Sequence, residues 1–135
     1  MSYEIQEIEG IGPSYAEKLA EAGIATTDDF LKLCCDAKGR AAISAKTGIN
    51  EGMILNWANM ADLMRVSGVG KQFAELLHAA GVDTIKELGT RNADNLAAKM
   101  NEANAAKKLT KGLASVSQVQ KWIDSAKGMD ALITH

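Results

Sequence analysis

Two short glycine segments contain the residue spacing that points most clearly to chemistry. They read Ile8-Glu9-Gly10-Ile11-Gly12 and Val66-Ser67-Gly68-Val69-Gly70. Glycine accepts positive φ and close backbone approach at the least cost, so each segment predicts a tight turn into a helix. A helix start leaves amides without intrahelical acceptors, and the positive end of the helix dipole lies behind them. The chemistry expected at these turns is therefore the binding of an anion by backbone amides.

The two glycine segments belong to an internal repeat. Residues 8–24 align without gaps on residues 66–82, at a shift of 58 positions. Both glycines, an Ala-Glu pair, one Leu and a closing Ala-Gly coincide. Further along, Thr26 and Thr84 each open a Thr-x-x-acid sequence. That sequence is a capping box, so a second helix is expected to begin at the same place in each copy.

Composition and capping residues predict an all-α protein with about four helices in each copy. The sequence has 4% aromatic residues and a single proline, and its apolar residues are mainly helix formers. Asn50 stands seven residues before Trp57, and Ser115 stands seven before Trp122. This spacing indicates that each copy ends in a capped helix that carries one tryptophan.

The two copies are expected to form one compact unit. We place the first repeat in residues 1–61 and the second in residues 62–135. A four-helix unit of this size is marginally stable alone, so the repeats should share apolar faces. Trp57 and Trp122 are the expected core anchors between them, and a ligand-stacking role is the alternative.

Residue types that serve catalysis or metal binding lack the spacing those functions need. Cys34 and Cys35 are adjacent with no second pair, and His78 and His135 belong to no motif. The chain has no Walker-type phosphate loop, no His-Glu-x-x-His pair and no nucleophile elbow. We therefore expect no catalytic residue, no metal, no cofactor and no small-molecule substrate.

Charge and hydropathy limit the partners. The net charge is −2, with five basic and nine acidic residues up to Ala61 and ten and eight after it. Strongly electrostatic nucleic-acid binders are usually basic, so an acidic first half argues against one. No apolar run reaches the roughly 18 to 20 residues of a membrane span, and the acidic N-terminal segment does not resemble a signal peptide. A cytoplasmic location without a membrane partner is expected.

Both copies resemble the helix-hairpin-helix motif, in which apolar-x-Gly-apolar-Gly-x-x-x-Ala precedes a Leu and a closing Ala-Gly. The chain from Ile8 to Lys127, including residues 59–64 and 122–127, also resembles a bacterial domain-of-unknown-function family with predicted helix-hairpin-helix character. The resemblance implies a SAM-like or helix-hairpin-helix fold with two tandem repeats.

The resemblance also implies a binding site. In nucleic-acid-binding members of the helix-hairpin-helix family, hairpin amides hold backbone phosphates without reading bases. The corresponding residues here are Gly10, Ile11, Gly12 and Ser14 in the first hairpin and Gly68, Val69, Gly70, Lys71 and Gln72 in the second. Arg65 and Lys86 flank the second hairpin, whereas Glu4, Glu7 and Glu9 flank the first. The second hairpin is therefore the expected phosphate site, with Lys99, Lys107, Lys108 and Lys111 as a further basic segment.

Two functions follow as alternatives. The first is binding of double-stranded DNA without sequence preference. The second is a protein-protein adaptor or dimerisation module, which the acidic first copy favours. For each glycine turn, the alternative is that it only forms a tight connection between two helices. An enzyme is disfavoured because the chain lacks a catalytic motif, and single-strand binding is disfavoured because few aromatics are present to stack on bases.

Overall fold

The computed structural model describes residues 3–8, 10–107 and 114–134, and over these residues the chain is helical. A 3-10 turn spans Ile5–Glu7, and helices α1 to α8 span, in order, Pro13–Glu21, Thr27–Cys34, Ala37–Thr47, Glu51–Leu63, Lys71–Ala79, Ile85–Leu88, Ala93–Lys107 and Val116–Lys127. Strand-like pairing in the same part of the chain is limited to one antiparallel bridge between Glu4 and Thr26. The predicted all-α class is confirmed, and the described residues contain eight α-helices, as the sequence predicts.

Side-chain caps fix the starts of most helices. Thr26 forms the full capping box: its hydroxyl accepts the Asp29 amide at 3.2 Å, and the Asp29 carboxylate accepts the Thr26 amide at 3.2 Å. In the second repeat the Thr84 hydroxyl accepts the Glu87 amide at 3.3 Å, but the Glu87 carboxylate accepts from Asp83 at 3.4 Å instead. Three further helices begin after the capping residues Asp36, Asn50 and Ser115. The predicted helix starts are therefore observed, and only the second box is incomplete.

Helix α4 lies at the centre of the fold. Every residue from Trp57 to Met64 is buried, including the polar Asn59 and Asp62. The helix packs against α2 and α3 of the first repeat and against α5 of the second. In the first turn of this helix Met53 is 36% exposed, whereas the neighbouring Ile54 is fully buried.

Each tryptophan forms its aromatic contacts within its own repeat. The ring of Trp57 lies edge-on to Tyr15, with centroids 5.2 Å apart, and to Phe30 at 6.5 Å. The ring of Trp122 lies 5.0 Å from Phe73. The aromatic partners of each indole therefore lie in its own repeat, as does the glycine turn that the indole covers. Packing of the two repeats against each other through the tryptophans stays a prediction.

A C-terminal segment joins the end of the chain to the first repeat. We call residues 129–134 the C-terminal strap; they follow α8 without regular secondary structure. The Thr134 amide donates to the Cys35 carbonyl at 2.8 Å, and Arg40 donates to the Thr134 carbonyl at 2.6 Å. Arg65 donates to the Asp130 carbonyl at 2.9 Å. Together with the α4–α5 packing, these bonds hold the two repeats as one body.

The two cysteines should differ in reactivity. Cys34 is fully buried in α2, and burial raises the pKa of its thiol to about 12, whereas Cys35 is partly exposed. A thiolate is the reactive form, so Cys34 should be inert in the folded protein. We expect Ellman's reagent at pH 8 to label one thiol per native chain and two after denaturation. Equal labelling rates for both cysteines in the native protein would contradict the packing of α2.

In the described part of the chain, no helix combines the length and the apolar character that crossing a membrane requires.

Candidate nucleic-acid interface

The first glycine of each glycine turn has a backbone conformation that favours glycine. Gly10 has φ +95° and Gly68 has φ +92°, a region that residues with a side chain seldom adopt. The next amides, of Ile11 and Val69, donate to the carbonyl three residues earlier at 3.2 and 3.0 Å. Those two amides were predicted to face an anion. They are instead used inside the turns, because the turns close through these bonds.

A tryptophan lies directly over each first glycine. A Cβ added to Gly10 would lie 3.3 Å from Nε1 of Trp57, and a Cβ added to Gly68 would lie 3.2 Å from Nε1 of Trp122. The first glycines are therefore needed both for their φ and for the space that the indoles occupy. The same arrangement occurs in both repeats.

The second glycine of each turn has a different role. Gly12 and Gly70 have extended φ angles of −88° and −94°, and they are the N-cap residues of α1 and α5. A Cβ added to either would meet no heavy atom of the described residues within 4 Å. A glycine has no side chain with which to cap a helix. Gly12 and Gly70 therefore give their helices no side-chain cap, in contrast to the helices capped by Thr, Asp, Asn or Ser.

Helix α5 has one more backbone N–H group before its first helical bond than α1 has. The first amide of α5 that bonds within the helix is that of Ala74, to the Gly70 carbonyl at 2.9 Å. The amides of Lys71, Gln72 and Phe73 precede it, in the positions that helix geometry aims beyond the helix end. Helix α1 has Pro13 in its first position, as the sequence predicts, and so has one donor fewer. The second hairpin is the better candidate for an anion.

A cleft of about 290 Å³ lies at the start of α5. It is lined by Gly70, Lys71, Gln72 and Phe73 and by Glu7 of the first repeat. The sequence assigns Glu7 to the flank of the first hairpin, but the fold places it at the second. A carboxylate at this position opposes the approach of a phosphate, so the cleft combines amide donors and a lysine with one negative charge.

The Arg65 side chain forms hydrogen bonds within the fold. It donates to Oδ1 of Asp62 at 2.9 Å and to the carbonyl of Asp130 at 2.9 Å. Arg65 was predicted to bind phosphate beside Lys71. It instead neutralises Asp62, whose side chain is 1% exposed, because a buried carboxylate requires a cationic partner.

The remaining basic residues are distributed over several surfaces. Lys86 is exposed on α6, immediately after Ile85, whose amide donates to Oδ2 of Asp62 at 2.9 Å. Lys99 lines a separate cleft of about 490 Å³ between the end of α5 and α7, together with Glu102. Several residues invoked from sequence lie outside the described residues: Glu9, the Lys107 side chain, Lys108, Lys111 and His135.

Asp62 is the residue that sequence reasoning missed. In the first repeat the Thr27 amide, at the start of α2, donates to the Tyr3 carbonyl at 2.8 Å. The equivalent amide in the second repeat, 58 positions later, is that of Ile85, and its acceptor is the Asp62 side chain. A side chain replaces the carbonyl because residues 61–63 lie within α4. The available signal was an aspartate inside an otherwise apolar run.

In the described part of the chain, no three or more His, Cys, Asp or Glu side chains form a cluster able to hold a metal ion. His78 Nδ1 lies 2.9 Å from Oδ1 of Asp83, a carboxylate companion that the sequence reading did not identify. Both side chains are exposed, so this pair contributes little stability.

A family model matches most of the chain. The model is described as Domain of unknown function (DUF4332), and it matches residues 9–129. No curated protein and no solved structure matches the sequence.

Proposed function

The chain belongs to the family described as Domain of unknown function (DUF4332), and from that premise we propose that it binds the phosphate backbone of duplex DNA without sequence preference through tandem helix-hairpin-helix repeats. The observation that carries the proposal is the start of α5, which receives no side-chain cap from its N-cap residue. Gly70 caps the helix without a side chain, and Lys71 and Gln72 follow it at the surface of a cleft. The two free cysteines suit a reducing compartment such as the bacterial cytoplasm.

Helix-start geometry explains why phosphate is the proposed ligand. Backbone amides at a helix N-terminus point along the axis, and the helix dipole adds positive potential there. Other α-helices of the chain satisfy such amides with a Thr, Asp, Asn or Ser side chain. Lys71 adds a formal positive charge beside the amides of α5. Contacts of this kind fix a protein on the duplex but do not distinguish bases.

Glu7 limits the expected affinity. Its carboxylate lines the same cleft as Gly70 and Lys71, so a phosphate must approach against a negative charge. The first hairpin adds little compensation, because Pro13 lacks an amide proton. The protein should therefore bind DNA weakly, through a footprint of a few phosphates.

The same carboxylate favours a second candidate function, that of a protein-interaction adaptor. A protein partner can place a basic side chain against Glu7, whereas a polyanion cannot. The acidic first repeat extends that preference over a larger surface. The two functions differ in how binding responds to the Glu7 charge and to salt.

DNA binding should be weak and sensitive to salt. We expect Kd in the range of about 10⁻⁴ to 10⁻⁶ M for a short duplex of arbitrary sequence, measured by fluorescence anisotropy. Two to four phosphate contacts predict a log Kobs against log salt slope of about −2 to −4. Lys71→Glu should abolish binding, and Glu7→Gln should strengthen it. Arg65→Glu is unsuitable as a test because it would break the pair with buried Asp62.

A capping substitution separates binding from stability. Gly70→Asp supplies its own carboxylate to the first amides of α5, so the Tm should rise while DNA binding is lost. Gly12→Asp, the matched change at α1, should also raise the Tm and leave most DNA binding intact. If the wild-type protein shows no salt-sensitive binding at tens of micromolar concentration and low salt, the DNA proposal is wrong and the adaptor becomes the better candidate.

A further inference from the structure

Each tryptophan turns its indole nitrogen towards the first glycine of its own repeat. Nε1 of Trp122 lies 3.2 Å from the position of a Cβ on Gly68, and Nε1 of Trp57 lies 3.3 Å from that of a Cβ on Gly10. Trp122 is 3% exposed and Trp57 is 4% exposed. An indole N–H donates a hydrogen bond but accepts none, and a buried one usually has a partner.

Neither indole N–H donates to another of the described residues. Among the fully buried side-chain nitrogen and oxygen atoms of these residues, Oδ1 of Asn59 alone has no hydrogen-bond partner. The two indole nitrogens also lack one, so each must keep a small contact with solvent at its turn. The partner that suits each of them is therefore an acceptor that approaches from solvent.

The first turn of α5 joins the Trp122 indole to the cleft at the start of that helix. The Phe73 ring lies 5.0 Å from the indole and also lines the cleft, beside Gly70 and Lys71. Gly68, which the indole nitrogen faces, is two residues before the N-cap Gly70. The indole N–H, the first amides of α5 and the positive end of the helix dipole therefore meet along residues 68–73. All three favour an acceptor that carries negative charge.

We propose that Nε1–H of Trp122 is a phosphate donor of the second hairpin and binds a phosphate oxygen together with the first amides of α5. The inference rests on the proposed function, because the phosphate is expected to be a phosphodiester of duplex DNA. Inorganic phosphate offers the same oxygens and serves as a second probe. The donor comes from α8, outside the hairpin sequence, and is electrically neutral.

The first repeat provides the internal comparison. Trp57 faces Gly10 as Trp122 faces Gly68, so both turns present an indole N–H. Helix α1 begins with Pro13, which has no amide proton, and Ser14 follows it where the second repeat has Gln72. A phosphate at the first turn thus meets fewer donors, and we expect it to bind there more weakly.

The chain contains two tryptophans, so a ¹H–¹⁵N spectrum of the full chain should show two indole signals. We expect a short DNA duplex to shift the Trp122 signal downfield and the Trp57 signal several-fold less. The Kd from the Trp122 shift should equal that from fluorescence anisotropy. Inorganic phosphate should shift the same signal at much higher concentration, with sodium chloride holding the ionic strength constant.

An isosteric substitution tests the donor without altering the shape of the ring. Trp122→3-benzothienylalanine has sulfur in place of the N–H, and it also assigns the signal by removing it. We expect the Kd for DNA to rise about tenfold, as for the loss of one hydrogen bond to a charged acceptor. The salt slope should not change, because the indole is neutral. The Tm should not fall, since the N–H has no acceptor among the described residues.

Trp57→3-benzothienylalanine is the matched control and should change the Kd by less than about twofold. DNA binding without a shift of the Trp122 signal would overturn this inference and leave the proposed function intact. A shift of that signal by inorganic phosphate, in a protein that does not bind DNA, would keep the donor and exclude the proposed function. If Trp122→3-benzothienylalanine lowers the Tm and leaves the Kd unchanged, the N–H has a structural role and the inference is wrong.

Discussion

Asp62→Ala should lower the free energy of unfolding by about 3–5 kcal/mol, the loss expected when one partner of a buried ion pair is removed. Asp62 is 1% exposed, and its two oxygens accept from Arg65 and from the Ile85 amide, each at 2.9 Å. The substitution leaves the guanidinium without its carboxylate and the start of α6 without an acceptor. Because domains have only about 5–15 kcal/mol of stability, the variant should be close to unfolding.

Urea denaturation followed by circular dichroism gives the measurement, and the internal repeat gives the control. Glu4 stands 58 positions before Asp62, but it is exposed, and the Tyr3 carbonyl accepts the equivalent amide at the start of α2. Glu4→Ala should therefore change stability by no more than about 0.5 kcal/mol. Similar losses for the two variants would show that Asp62 does not have the structural role assigned to it.

Gly68→Val should destabilise the protein by about 2–4 kcal/mol, combining backbone strain with overpacking. Gly68 has φ +92°, where a β-branched residue is strained, and its Cβ would lie 3.2 Å from Nε1 of Trp122. The indole would have to move away from the turn. Gly10→Val should behave in the same way against Trp57.

The matched control is Gly70→Val in the same turn. Gly70 has φ −94° and open space around a Cβ, so only a cap preference of about 1 kcal/mol or less should be lost. Thermal melts give the comparison, and the fluorescence of Trp122 should change in Gly68→Val alone. The sequence pattern does not distinguish the two glycines of a turn, and the structure assigns the positive φ to the first of them. Equal melting of Gly68→Val and wild type would contradict the strained turn.

Local features of the fold could be predicted from the sequence. Helix starts at Thr26, Asn50 and Ser115 depend on bonds between residues two or three apart, and a capping residue before an apolar run reveals them. The end of α3 at Gly48, which has φ +76°, also depends only on neighbouring residues. The partners of each tryptophan could not be predicted, since burial of an indole does not indicate which surface covers it.

The candidate site was only partly predictable for a similar reason. The lack of a side-chain cap at Gly70 follows from the glycine spacing. The position of Glu7 in the same cleft joins residues far apart in sequence, and no local pattern reports it. Arg65 was assigned to phosphate because it stands beside the hairpin, but Asp62, three residues earlier, binds it instead. A charge near a motif is available to a ligand only if the fold leaves it unused.

The C-terminal strap also determines when the fold is completed during synthesis. Arg40 and Cys35 leave the ribosome 94 and 99 residues ahead of Thr134, the strap residue that they hold. At translation rates of about 5–20 residues per second, Thr134 is added roughly 5–20 s after them. Until the strap is made, the surface that it covers stays exposed on the nascent chain. Arg40 lacks its Thr134 acceptor during that time, so the first repeat completes its packing only after the second repeat has been synthesised.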